Sequence, residues 1–313
     1  MIDWYNSEEK EQFMNEIFGE DKSDIMYDKY KDLFSEIAAL ERAYGKDISE
    51  FTHNQLCGTF EHIVSSNDVF LQKRQMLAAY TAWVKKISRR RMIRTISFEM
   101  LDLSKIMKSS YIFSPEELGD KTLKAFGDNY SSGIFYKACV HLVFTGCKVD
   151  EIVNLKKSDI DFNTASIRKS NLMFQLDKWT QAILETCINT SELDIVDTLG
   201  RHRTCELCSN DYLIRHRYYD GCDQEKPCNV SQVYKAFEEM NARLGTNYSY
   251  TTIHKSGFFY WLYQHEKITK RKIRENGKYY QEISEKYWDI SPNMFPRISH
   301  DYKQWLKYYT YTE

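Results

Sequence analysis

Two basic runs and a cysteine cluster carry the obvious chemical capacity of this sequence. Lys85, Lys86, Arg89, Arg90, Arg91 and Arg94 form the first run, and the four-residue spacing of Lys86, Arg90 and Arg94 stacks them on one helical face. Lys270, Arg271, Lys272 and Arg274 form the second. Cations arrayed in this way suit the phosphates of a nucleic-acid backbone, although many such runs are plain solvated helix surface. Cys205-x-x-Cys208, followed by Cys222 and Cys228, has a first pair spaced as in a zinc knuckle, with His202 and His216 as spare ligands. The second pair is too widely spaced for that pattern, so free thiols in an irregular hairpin are the competing reading and no metal or other cofactor is expected.

These residues must be positioned mainly by helices. The chain has 313 residues with only 4 Pro and 12 Gly, so turns are sparse. Tyr30, Leu33, Phe34, Ile37, Leu40, Glu41 and Tyr44 step at helical period, and Gly45 is a plausible stop. Ser49 and Thr52 are candidate caps for the next helix. A long helix is expected from Asn67–Asp68 through the first basic run. Ser114-Pro115-Glu116-Glu117 reads as a helix start. An apolar helix pair is expected over 134–156, short strands in a hairpin-like region over 160–176, and a helix near 177–189. Residues 200–229 read as irregular, with a strand near Tyr212-Leu213-Ile214, and the remainder from Ser231 as helical.

Apolar residues make up 42% and charged ones 28%, the balance of a chain that buries a core, which argues against disorder. No stretch is apolar enough to span a membrane, and the acidic start MIDWYNSEEK does not read as a secretory signal. Cysteines are expected to be reduced, with Cys57, Cys139, Cys147 and Cys187 as small core fillers. The formal charge of −2 conceals segregation. Residues 1–50 carry 14 acids against 6 bases, a balance of −8, whereas residues 51–100 stand at +5 and residues 251–300 at +4. Such asymmetry can mark a nucleic-acid face on a chain that is neutral overall.

Three segments resemble the tyrosine recombinase (phage integrase) family. TGCKVDEIVNLKKSDID, from Thr145 to Asp161, is by itself a turn, an amphipathic helix and the start of a strand. It resembles the opening of the family's catalytic domain at Thr145, Gly146, Glu151, Leu155, Asp159, Ile160 and Asp161. The first catalytic arginine falls at Lys148, which keeps the charge but not the planar fork that grips a phosphate bidentately. YTTIHKSGFF, from Tyr250, resembles the family's histidine–arginine box; His254 matches the histidine, and the second arginine falls at Gly257. Near the end, His300 takes the place of the last histidine and Tyr309 that of the nucleophile, with Tyr302 and Tyr308 as neighbours that confuse the alignment. A hairpin lysine of the family falls at Lys169 or Arg168.

The resemblance implies a mainly α, two-domain fold. A helical core-binding-like domain over 1–105 would be followed by a catalytic-like domain over 106–313 with a small β-hairpin or sheet, the two closing on duplex DNA. With the arginines missing, Lys148, Lys169, His254, Gly257, His300 and Tyr309 read as vestigial positions. The resemblance then implies a sequence-specific DNA-binding protein without catalysis, a phage repressor that maintains lysogeny in the cytoplasm of a bacterial host. Its partners would be operator DNA and a phage regulatory protein. Expected DNA contacts are Lys85, Lys86, Arg89, Arg90, Arg94, Lys148, Arg168, Lys169, His254, Lys255, Lys270 and Arg271. The alternatives are an active, divergent recombinase using Tyr309, and a protein-interaction module in which the acidic first fifty residues bind a partner.

Overall fold

The structure is a computed structural model that describes residues 4–19, 23–65, 67–85, 93–127, 133–169, 172–196 and 202–309. The chain divides into two compact units, Met1–Ser109 and Ser110–Glu313. It is mainly helical, as expected, with two small antiparallel sheets. No described helix is long and apolar enough to cross a membrane.

Among the described residues the first unit holds the helices α1 (Ser7–Phe18), α2 (Ile25–Tyr44), α3 (His53–Ile63) and α4 (Asn67–Lys85) and, at its end, the short α5 (Leu103–Ser110). The Tyr30–Leu33–Phe34–Ile37 stripe of α2 is buried, and Gly45 ends the helix at φ 63°, where an L side chain would be strained. Thr52 caps α3 reciprocally with Gln55. Ser49 is not a cap; it lies inside a 3-10 turn capped by Asp47, whose carboxylate accepts the Ser49 N–H at 2.8 Å. The first basic run falls largely on residues 86–92, outside the described residues.

One polar network crosses this core. Lys10 is fully buried, with Nζ 2.8 Å from Glu41 Oε2 and 3.5 Å from Asp47 Oδ2. It also donates to the Tyr5 carbonyl, while the Tyr80 hydroxyl donates to Asp47 at 2.8 Å. Burial outweighs the pull of the ammonium and pushes Glu41 up to about 7.

The second unit wraps around one helix. It begins with α6 (Pro115–Phe126), which starts on the Ser114 cap with Pro115 in its first turn. Then α7 (Gly133–Phe144) is buried over nearly its whole circumference and packs on α6, on α9 (Lys178–Asn189), on α10 (Ser231–Leu244) and on α11 (Tyr250–Thr269). A helix apolar all round can be stable only at such a centre. His141 sits within α7, fully buried, with one ring nitrogen 3.2 Å from Thr122 Oγ1 and the other 3.2 Å from Thr180 Oγ1.

A short α8 (Val149–Asn154) leads to strands β1 (Ile160–Asp161), β2 (Ser166–Lys169) and β3 (Leu172–Gln175) in one antiparallel sheet. Its register pairs Ile160 with Ile167 and Ile167 with Phe174, all buried, while Arg168 and Met173 face out. A second sheet, β4 (Glu192–Val196) with β5 (His202–Glu206), lies where irregular chain was expected to begin. The strand expected at 212–214 is a single bridge instead: Tyr212 pairs with Lys156, and Leu213 N donates to the Leu155 carbonyl at 2.8 Å. Helices α12 (Gly277–Trp288) and α13 (Phe295–Tyr309) complete the unit.

Two stability predictions follow from these cores. Lys10→Met leaves two buried carboxylates without their cation and is expected to cost roughly 3–5 kcal/mol in urea unfolding. The double variant Lys10→Met/Glu41→Leu should be less destabilised than the single, and equal or greater loss would contradict the electrostatic account. Desolvation holds His141 down to about 4, against an ordinary value of 6.5. The folded chain therefore binds fewer protons there than the unfolded one, so this stability is complete above pH 6.5 and is lost as pH falls toward 4. The loss should reach ~3 kcal/mol, and His141→Gln, although less stable at neutral pH, should show a flatter acid slope in the same unfolding measurement.

Candidate functional site

The segment Thr145–Lys148 is the turn that ends α7 and starts α8. Gly146 N donates to the Val143 carbonyl at 3.0 Å and Cys147 N to that of Leu142 at 2.9 Å. Gly146 adopts φ +99°, and a Cβ there would come within 2.8 Å of the Trp288 ring, so two constraints require glycine. Lys148 then occupies the position before α8, with its backbone N–H donating to Glu151 at 2.7 Å. Its ammonium is paired with the Asp289 carboxylate, and that hydrogen bond raises the lysine above its ordinary value. Asp289 ends α12 in the left-handed region, at φ 54°.

One helical turn of α11 carries the next two positions. His254 stacks on Tyr250 at 5.7 Å between ring centroids and meets the edge of Trp288 at 5.2 Å. Gly257 lies against the last residue of α7: a Cβ at this position would stand 1.7 Å from the Phe144 carbonyl oxygen. No side chain fits there unless the two helices separate. Trp288, buried, also touches Phe258 and Trp261, so one indole closes the space among Gly146, His254 and α11.

Helix α13 brings the third segment. His300 is exposed. Tyr309 is half-buried, stacked on Trp305 at 4.8 Å and tilted against Tyr263 at 4.5 Å, with Phe113 at 6.5 Å. Tyr302 is fully buried and donates to Glu266 Oε2 at 2.9 Å, and Glu266 also accepts the Ile273 N–H. Burial and that carboxylate push the Tyr302 phenol far above its ordinary value, so it is a structural group.

The first two resembling segments thus meet at the end of α12, through the Lys148–Asp289 pair and the His254–Trp288 contact, and the second meets the third where the Phe259 ring lies against Tyr302 and Trp305. The basic residues disperse. Lys255 is paired with Asp301 and lies over the Tyr111 ring at 6.0 Å. Lys270, at φ 58°, and Arg271, over the Tyr279 ring at 4.9 Å, are exposed at the end of α11. Arg168 is exposed on β2, beside Lys169, whose side chain lies outside the described residues. In the first unit Arg94 is exposed and Lys85 stands 3.6 Å from Glu50; Lys86, Arg89 and Arg90 fall outside the described residues. Asp289, Trp288 and Asp301 were not singled out from sequence, because nothing local in their types or spacing marks them as partners of the motif residues.

The cysteines do not group as a Cys205-x-x-Cys208 knuckle would require. Cys208 and Cys222 come together with His216, while Cys205 is on β5 opposite Leu193 and Cys228 is buried in the core with Cys139. Side chains alternate along an extended chain, so residues three apart, such as Cys205 and Cys208, face opposite sides.

The family model for the MrpR N-terminal core-binding domain matches residues 4–86, and that for the MrpR C-terminal catalytic domain matches residues 128–303. No curated protein matches the chain. Among solved structures, the crystal structure of XerA recombinase is similar at 14% identity, covering 86% of this chain and 87% of that one, with a TM-score of 0.35. The second family model alone takes in more than half of the sequence, and the two matches fall in core-binding, then catalytic order: the chain belongs to the MrpR family.

Proposed function

We propose that this protein binds specific double-stranded DNA and represses transcription without cutting it, as a phage repressor that maintains lysogeny. The observation that carries the reading is the contact at Gly257. Strand cleavage by a tyrosine hydroxyl builds charge on the phosphate's non-bridging oxygens, and donors aimed at that charge are usually the largest catalytic contribution. Loss of one such donor typically costs about 100- to 1000-fold. At Gly257 the donor is absent and the space for it is filled by the Phe144 carbonyl. At Lys148 the remaining cation is engaged by Asp289, and Tyr309 is packed among rings. The core-binding and catalytic domain names of the matched family support a DNA partner. The exposed cations Arg94, Arg168, Lys270 and Arg271 are the candidate phosphate contacts, with base selection left to a few Arg, Lys, Asn or Gln side chains. The other reading, strand exchange through Tyr309, is favoured by the retention of His254, His300 and Tyr309 at the matching positions.

A gel-shift titration on fragments of the chain's own genome tests the binding half. A discrete shift that weakens steeply with salt is expected, and Arg94→Ala should reduce the slope of log K against log salt by about 1. No shift on any fragment at low salt would favour the protein-interaction reading. A nicked suicide substrate tests the other half: no covalent adduct is expected, and an adduct that disappears in Tyr309→Phe would establish the recombinase reading instead. Gly257→Arg should lower the thermal midpoint without creating cleavage, since even the Cβ overpacks, at a cost of about 1–3 kcal/mol or more. A Gly257→Arg variant as stable as the parent would remove the steric argument.

A further inference from the structure

The stretch from Leu207 to Val230 contains no helix and no strand beyond isolated bridges, yet it is ordered around buried Cys208, Leu213, Ile214 and Cys228. Irregular segments of this length inside a compact unit are uncommon without something that ties them together. The local pairing shows where a tie would fall. Beyond β5, Leu207 bridges Arg217, Tyr218 N donates to the Glu206 carbonyl at 2.8 Å, and Cys208 N donates to the His216 carbonyl at 3.0 Å. This register sets Cys208 opposite His216, which brings their side chains to one face. Gly221, at φ +83°, and the Cys222 N–H bond to the Tyr219 carbonyl at 3.0 Å then fold the chain back. Cys222 Sγ arrives 3.7 Å from Cys208 Sγ, and a His216 ring nitrogen lies within 4.8 Å of both sulfurs.

The separation is informative. Two thiolates bound to a tetrahedral zinc at ~2.3 Å must stand ~3.7–3.8 Å apart. A disulfide would need ~2.05 Å. From these distances we infer that Cys208, His216 and Cys222 form a site for one zinc ion, a Cys2His set that pins the irregular segment at three points. Two thiolates and a neutral imidazole balance the ion's charge and match its taste for sulfur and nitrogen. The neighbouring Asp223 is committed elsewhere, accepting the Glu225 N–H and pairing with Lys226 at 3.2 Å, so the fourth position falls to solvent on the side where His216 and Cys222 are half-exposed. The set differs from the candidate knuckle of the sequence: Cys205 and Cys228 take no part.

The test uses the full chain, purified reduced, stripped with a chelator and reloaded with Zn2+ or Co2+. One metal per chain is expected, and the Co2+ form should show tetrahedral d–d absorption with thiolate charge-transfer bands. Cys222→Ser and Cys208→Ser should abolish binding, His216→Asn should weaken it and shift the d–d bands, and Cys205→Ser and Cys228→Ser should leave it unchanged. Zinc should raise the thermal midpoint of the parent but not of Cys222→Ser. Should Cys208→Ser fail to fold, the half-exposed Cys222 carries the test. Substoichiometric metal in the reduced parent, full binding retained by Cys222→Ser, or a Cys208–Cys222 disulfide as the only link found by mass spectrometry would each overturn the assignment.

Discussion

The approach of α11 to the end of α7 at Gly257 is the contact on which the second unit turns. Helix α7 is the central element, and α6, α9, α10 and α11 all pack on its surface. At its last residue the Phe144 carbonyl lies so near Gly257 that the contact can be made only without a side chain. The end of a helix carries its unsatisfied carbonyls and the negative pole of the macrodipole. A phosphate placed against that end would meet the wrong polarity as well as a filled space. Gly257, where the family resemblance would place an arginine, is buried in the core, and its lack of a side chain is what lets the two helices pack this closely.

The first unit solves a different problem. Lys10, Glu41, Asp47 and Tyr80 are buried together, and the aromatic rings of Phe34 and Tyr80 lie 5.5 and 5.8 Å from the Lys10 ammonium. Such a network adds little net stability over an apolar core of the same shape, but it penalises any arrangement that separates its members. It fixes α1 against α2 and the turn at Asp47 in one register. Three of the charged residues in the acidic first fifty are thereby internal rather than part of a surface field.

Local signals were legible where local physics decides. Gly45, the Thr52–Gln55 pair and Ser114-Pro115 mark helix ends because caps act within one turn. The strands over 160–175 could be read from their alternation, whereas β4 was missed: Glu192–Val196 takes its partner, β5, from a stretch that reads as irregular. At the candidate site, the family resemblance singled out Lys148, His254, Gly257, His300 and Tyr309 by their spacing. It could not locate Asp289 or Trp288, which lie far along the chain from Lys148 and Gly146 and meet them only through the fold. Cys205-x-x-Cys208 does not form the pair that its spacing offers, because that pairing needs a turn and here Cys205 lies on an extended strand.

The pairing of cations inside the protein also bears on the near-neutral total. Lys148 is held by Asp289, Lys255 by Asp301, and Lys85 lies near Glu50. On the proposed reading, a phosphate reaching any of them must displace a carboxylate, so the gain is the difference between two ion pairs rather than the whole of one. Cations in that state add little to sequence-blind attraction, which depends on released counterions and unspent charge. They can still contribute where a correct site brings a phosphate close enough to win the exchange. Exposed residues such as Arg94, Arg168 and Lys270 would then supply the general attraction, and the paired lysines would favour the sites that fit.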